Sequence, residues 1–290
     1  MKSFIVTVCC LFLAATPLRA AEETQADDVD SMLAKFDWLR GPAKADLKSL
    51  AEINVPQGFI FTGAKGTQEL LESMGNPTSG DELGFLAPTS LGWFVVFEFS
   101  DVGYVKDDDK DKLDADKLLN AIKAGNDQAN KYREKMGVPP LHITGWEFPP
   151  RYNETTHNLE WAIRGESEAR PVINYNTRLL GRKGVMEVNL VIKPERLTET
   201  IPTYQAILAD YSYKPGERYA EYRQGDKLAQ YGLAALITGG AAAVAVKTGL
   251  FGAIVLFFKK AWKLVVVAVV ALGAFIKRLV LGASPRKTTE

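Results

Sequence analysis

The chain has two histidines, His142 and His157, and imidazole is the side chain that titrates near neutrality. Neither has a second histidine or an acid at metal-ligand spacing, and no Gly-x-Ser-x-Gly elbow frames Ser73, Ser79, Ser90 or Ser100 as a nucleophile. Glu147, Glu154, Glu160 and Glu166 could supply two carboxyl groups for glycoside hydrolysis, which needs them roughly 5–10 Å apart across a groove. The run Asp107-Asp108-Asp109-Lys110-Asp111 invites a calcium loop. Lys112 and Leu118, however, stand where that loop needs glycine and glutamate, so the run reads as a solvated acidic turn before a helix. Gly63-Ala64-Lys65-Gly66-Thr67 lacks the full phosphate-loop frame. A different chemistry comes from aromatic residues interleaved with cations. Trp146, Phe148, Tyr152 and Trp161 lie close in sequence to Arg151 and Arg164, with His157 at the mouth of a strand. A groove lined this way would hold a peptide, a glycan or a lipid head group. Trp146, Arg151, Tyr152, His157, Trp161 and Arg164 are therefore the expected ligand-binding set. No catalytic residue, metal ligand or cofactor is expected.

The elements that must position these residues follow from periodicity. Gly92–Val105 alternates Trp93, Val95, Phe97 and Phe99 with Phe94, Val96 and Glu98, a strand pattern in which a buried, unpaired Glu98 would be expensive. Asp114 should cap a long helix to Met136, with Leu118 and Ile122 inward and Pro139-Pro140 beyond its end. Leu141–Phe148, Asn158–Arg164, Val172–Leu180 and Val185–Ile192 read as a meander, the last two joined by the Gly181-Arg182-Lys183-Gly184 turn. Shorter helices are expected over Ser31–Leu39, Thr67–Met74 and Thr198–Leu208, and a strand pair over Ile53–Phe61. The fold class is α+β, a largely antiparallel sheet with packed helices.

The ends read differently. Lys2, the apolar run Phe4–Ala15, Pro17 and the small residues Ala20-Ala21 form a signal-peptide pattern over residues 1–20. Cys9 and Cys10 lie inside it and are the only cysteines, so the mature chain would carry no disulfide and no thiolate metal site. From Leu228 the composition turns to Ala, Gly, Val and Leu, interrupted by Lys247 and the Lys259-Lys260-Ala261-Trp262-Lys263 cluster. That stretch is long enough for a transmembrane helical anchor, and the basic residues beyond it would stay cytoplasmic.

Of the 290 residues, 35 are basic and 35 acidic, but the balance is a cancellation. Residues 21–227 carry net −9 and residues 228–290 net +7. An acidic body excludes a phosphate-backbone partner, so no nucleic acid is expected. The expected partners are the lipid bilayer, an envelope protein, and a second copy through small-x-x-x-small positions such as Gly239 and Ala243 in the anchor.

Several segments together carry a resemblance. They include Gly41-Pro42 with Val55-Pro56-Gln57-Gly58-Phe59, Gly92-Trp93-Phe94-Val95-Val96, Pro149-Pro150-Arg151-Tyr152, and Asn174-Tyr175-Asn176-Thr177-Arg178. With Lys214-Pro215-Gly216-Glu217-Arg218-Tyr219 and the basic apolar tail, the chain resembles the DUF2167 family of predicted bacterial membrane-anchored proteins. The resemblance implies an exported domain with a C-terminal anchor, and brings no catalytic residues. The expected organisation is a signal peptide (1–20), an exported α+β domain (21–227) and a helical membrane anchor with a cytoplasmic tail (228–290). The expected function is a periplasmic binding or interaction module held at the bacterial inner membrane. The alternative is a periplasmic hydrolase acting on an envelope glycan or lipid.

Overall fold

The computed structural model describes residues 36–239, apart from 75, 77, 136, 138 and 169. Along the chain run β1 (Leu39–Arg40), β2 (Ala43–Leu47), β3 (Ala51–Val55), β4 (Phe59–Gly63), α1 (Ala64–Ser73), β5 (Glu82–Pro88) and β6 (Trp93–Ser100). Then come α2 (Ala115–Lys135), β7 (His142–Asn153), β8 (Asn158–Ser167), β9 (Arg170–Leu180), β10 (Val185–Ile192), α3 (Leu197–Ala209), β11 (Ser212–Tyr213) and α4 (Leu233–Thr238). Eight strands form one antiparallel sheet in the order β1-β4-β5-β6-β10-β9-β8-β7, and β11-β3-β2 form a second, small sheet. The α+β, antiparallel expectation thus holds.

The alternation in β6 explains why the large sheet is covered on both sides. Trp93, Val95 and Phe97 join Met186, Val188, Leu190 and Tyr175 in a first-face core with Leu47, Ile53 and Val55 of the small sheet and Leu197, Tyr204 and Ile207 of α3. Phe94 and Val96 point into a second-face core with Phe85, Val191, and Leu70 and Leu71 of α1. A separate second-face core gathers Leu159, Trp161, Ile163 and Leu180 beneath Leu118 and Ile122 of α2 and Leu233, Leu236 and Ile237 of α4. A strand buried on both faces reads as a continuous apolar run, as β6 does.

The Asp114 cap forms as expected: its Oδ1 accepts from the Lys117 backbone N–H at 3.1 Å. Asp114→Ala is expected to lower the urea midpoint measurably, through loss of this N-terminal hydrogen bond. An unchanged midpoint would show that α2 does not depend on this cap. The turn after β9 is tied down by Arg182, whose Nε and Nη2 donate to Asp226 at 2.7 and 2.8 Å. That bond holds the Asp226 carboxyl down at about 2. Gly41 is required by packing, since a Cβ there would sit 1.8 Å from the Pro56 carbonyl oxygen.

Three expectations change. The strand predicted to end at Phe148 continues through Pro149-Pro150 to Asn153. This is possible because β7 is an edge strand with register slips between Ile143 and Gly145, Trp146 and Phe148, and Phe148 and Arg151, where a missing N–H is tolerated. Leu39, expected at the end of a helix, instead pairs with Phe61 in β1; most of that predicted helix lies outside the described residues. The apolar composition predicts that the chain leaves the body at Leu228, but over Leu228–Gly239 it stays attached. Tyr104 N–H donates to Lys227 O at 2.8 Å, Ala229 N–H to Tyr104 O at 2.9 Å, and Leu233 N–H to Asp109 Oδ1 at 3.1 Å. Leu233 is fully buried, and Leu236 and Ile237 nearly so. Among the described residues no helix is long and apolar enough to cross a membrane. The signal-peptide segment and residues 240–290 lie outside the described residues.

Candidate functional site

The β7–β8–β9 end of the first face and helix α3 enclose an open concavity of about 240 Å3, bordered by Phe148, Pro149, Arg151, Glu160, Trp161, Tyr175, Ile201 and Gln205. Ile201 and Gln205 are one helical turn apart and so share a face of α3. Arg151 and Glu160 are directly opposite in the β7–β8 register, yet no ion pair joins them. Glu160 Oε2 instead accepts from the Tyr175 hydroxyl at 2.8 Å. Burial and the Glu160 carboxylate push the Tyr175 phenol up, so it stays a protonated donor. Phe148 and Tyr204 meet Tyr175 edge-on at 6.1 and 5.4 Å and fix its ring. Arg151 is exposed and makes no hydrogen bond or ion pair among the described residues.

The other members of the expected binding set lie elsewhere, Trp161 excepted. Trp146 donates its indole N–H to Ala115 O at 3.1 Å and packs on the second-face core under α2. The register slip between Trp146 and Phe148 sends one to each face. Tyr152 donates to Asp107 Oδ2 at 2.8 Å and lies 3.1 Å from His157 Nδ1. Burial, then the bond to Asp107, pushes its phenol up. His157 has a left-handed backbone, φ 54°, and meets the Tyr219 ring in a tilted contact at 4.5 Å. Arg164 holds Glu147 through Nε at 2.9 Å and through Nη2. Trp161 is 2% exposed and lies under the Arg178 guanidinium, 4.8 Å from ring centroid to Cζ. Of the four glutamates, Glu147 serves Arg164, Glu154 pairs with Lys110 at 2.6 Å, Glu160 serves Tyr175, and Glu166 stands opposite His142. The acidic turn is used internally as well, Asp107 by Tyr152 and Asp109 by the N-terminus of α4.

A second site was not singled out from the sequence. Across the middle of the second face, Glu82, Glu98, Glu187 and Arg178 are register neighbours on β5, β6, β10 and β9. The adjacent row runs Val96, Asn189, Asn176 and Trp161. Arg178 pairs with Glu187 at 2.9 Å and donates to Asn189 Oδ1 at 3.0 Å. Glu82 is fully buried and accepts from Ser79 N–H, the Ser79 hydroxyl and Gly80 N–H. Burial, then the Glu187 and Glu82 carboxylates, raises Glu98 to about 8 despite the opposing pull of Arg178. Around Asn176, Arg178 Nε, Trp161 Nε1 and Asn174 Nδ2 are buried with no hydrogen-bond partner among the described residues. Buried polar atoms are normally satisfied, so the strip departs from an ordinary sheet core. Its sequence signal was the period-2 spacing of Asn174, Asn176 and Arg178 within a predicted strand, matched by Glu187 and Asn189 on the next.

A model of the protein family of unknown function DUF2167 matches residues 40–270, most of the chain. The chain belongs to the DUF2167 family. No curated protein sequence matches it. Among solved structures it is similar to cyanobacterial PsbP (CyanoP) from Synechocystis, at 14% identity and TM-score 0.36, over 59% of this chain and 92% of that one. It is also similar to the Ran-binding protein Mog1p of Saccharomyces cerevisiae, at 7% identity and TM-score 0.32, over 60% of this chain and 96% of that one. A third is the T6SS immunity protein TplEi of Pseudomonas aeruginosa, at 9% identity and TM-score 0.25, over 71% of this chain and 87% of that one. The segments that carry the DUF2167 resemblance fall on both sites. Pro149 and Arg151 border the concavity, and Asn174–Arg178 lies in the strand that carries the polar strip. The Lys214–Tyr219 segment fastens neighbouring loops: Lys214 Nζ donates to Asp46 at 2.5 Å, and the Tyr219 hydroxyl to Val105 O at 3.0 Å.

Proposed function

We propose that this DUF2167 protein is a membrane-anchored envelope protein that presents a periplasmic binding domain. The observation that carries the reading is the concavity at Arg151, where an unpaired guanidinium, a carboxylate and aromatic surface converge on open space. The tether is supported by sequence and by attachment. Helix α4 is packed into the body, and the apolar, basic-flanked stretch that begins at Leu228 continues directly after it. Such a body stands close to the bilayer, with residues 1–20 removed on export and the C-terminal tail cytoplasmic. Its partners are the bilayer, an envelope protein, and a second copy through the anchor.

Lys65→Cys, at a side chain 90% exposed, and Thr288→Cys test the placement in spheroplasts treated with a membrane-impermeant maleimide. The Lys65 variant is expected to label at once and the Thr288 variant only after lysis. A Lys65 variant that stays dark until lysis would overturn the export. The unsubstituted chain, which labels after denaturation only if Cys9 and Cys10 are retained, reports cleavage in the same gel.

A hydrolase is the second reading, favoured by the Asp107–Tyr152–His157 hydrogen-bond chain. His157 would be its base. Full complementation by His157→Ala would remove His157 from contention and leave that reading only a glutamate pair.

A further inference from the structure

The concavity has a polarity as well as a shape. Arg151, exposed and unpaired among the described residues, lines it together with Gln205 of α3. Beside Arg151 on the next strand, Glu160 has Oε2 engaged by Tyr175, while among the described residues Oε1 makes no hydrogen bond. Phe148, Pro149 and Ile201 supply the apolar part of the lining. Arg151 and Glu160 are cross-strand partners at a distance where oppositely charged side chains ordinarily pair. Here Tyr175 draws the carboxylate toward β9 and leaves the guanidinium unpaired. The result is an unpaired cation and a free acceptor oxygen side by side in an apolar-lined concavity. At about 240 Å3 the space is below the roughly 300 Å3 of clefts that engulf a drug-sized ligand. An occupant therefore places one or two residues in it and leaves the rest outside.

Resting on the binding-domain reading, we propose that this concavity takes the carboxyl terminus of a peptide ending in apolar residues. The terminal carboxylate lies against Arg151, whose planar fork matches two carboxylate oxygens, and against the Gln205 amide. The last side chain rests on Phe148, Pro149 and Ile201. The N–H of the terminal residue donates to Glu160, which Tyr175 holds in place. A long-chain fatty carboxylate would satisfy Arg151 but has no N–H for Glu160, and the concavity is short for an acyl tail. An internal peptide segment without an acidic side chain would lack the charge that Arg151 is left to meet.

The test uses the full chain in detergent micelles and isothermal titration with N-acetyl-Leu-Leu, its C-terminal amide, and octanoate. The acid is expected to bind saturably, and the amide and octanoate at least tenfold more weakly. Arg151→Gln should abolish the difference between acid and amide, and Arg151→Lys should retain part of it. Arg164→Gln, at a guanidinium already held by Glu147, should leave all three titrations unchanged. Equal affinity for acid and amide, no change in Arg151→Gln, or no saturable binding of the acid would overturn the proposal. Octanoate binding as tightly as the peptide acid would also overturn it, transferring the site to fatty carboxylates. A body that labels outside the cell but binds no peptide acid loses only this ligand. A body that stays dark loses the periplasmic reading whatever it binds.

Discussion

Replacing Glu98 with Gln is expected to leave stability nearly unchanged near pH 4.5 and to raise it, relative to the natural chain, by on the order of 2–3 kcal/mol at pH 9. Glu98 is an acid whose pKa in the folded chain is raised from 4.5 to about 8. The sign follows from proton counting. Between those values the unfolded chain has released the proton and the folded chain still holds it, so stability falls as pH rises. Below 4.5 both states are protonated and the contribution is intact. Above 8 the folded chain must carry a charge in the strip, and the loss is complete. At about 1.4 kcal/mol per unit the ceiling is roughly 5 kcal/mol. Glu98 keeps partial contact with solvent, which brings the expectation to about half of that. The groups facing it are Glu187 from β10, Glu82 and Asp81 from the start of β5, and Arg178 from β9. Glutamine keeps the shape and can still accept from Asn189, whose Nδ2 lies 3.4 Å from Glu98 Oε2. The measurement is urea unfolding of both proteins from pH 4.5 to 9, in the same detergent. Parallel curves would mean that Glu98 ionises in the folded chain as it does in the unfolded one.

Much of this architecture was legible in the sequence, and what was missed has common causes. Strand β6, the β9–β10 hairpin, and helices α1, α2 and α3 follow from local signals: alternation, a Gly-bounded turn, an Asp cap and helical spacing. The polar strip was half legible. Glu98 stood out as costly in an apolar strand, and the period of Asn174, Asn176 and Arg178 was visible. Whether those residues face Glu187 and Asn189 or the opposite core depends on register, which no single strand contains. The aromatic set failed to converge for the same reason. Slips in β7 turned Trp146 and Phe148 to opposite faces, and of that set Phe148, Arg151 and Trp161 alone border the concavity. Helix α4 was illegible. Leu-Ala-Ala-Leu-Ile-Thr has the composition of a membrane segment, and only long-range contacts assign it to the body: packing under Leu118 and Ile122, and a bond from Asp109, 124 positions earlier.

Arg178 is the residue whose loss should cost the most within the strip. Arg178→Met is expected to destabilise the chain by about 3–5 kcal/mol, the range for leaving one member of a buried ion pair alone. Arg178 is 7% exposed and does several things at once. It meets Glu187 at 2.9 Å, Asn189 Oδ1 at 3.0 Å and Thr177 O at 3.2 Å, and its guanidinium covers the Trp161 ring. Without it, Glu82, Glu98 and Glu187 face one another with no cation between them. Lysine is no substitute, since one ammonium cannot span Glu187, Asn189 and Thr177 while lying flat on an indole. Methionine restores the volume, so the loss reports charge rather than a cavity. Adding Glu187→Gln to Arg178→Met should then recover more than 1 kcal/mol, because it removes the stranded anion. Glu187→Gln alone should be destabilising, because it leaves the guanidinium stranded instead. This reversal of sign between backgrounds identifies a coupled pair. Urea unfolding of the four proteins at pH 7 measures it. If Arg178→Met costs under 1 kcal/mol, or if Glu187→Gln has the same effect in both backgrounds, the strip is solvated enough for its charges to act independently.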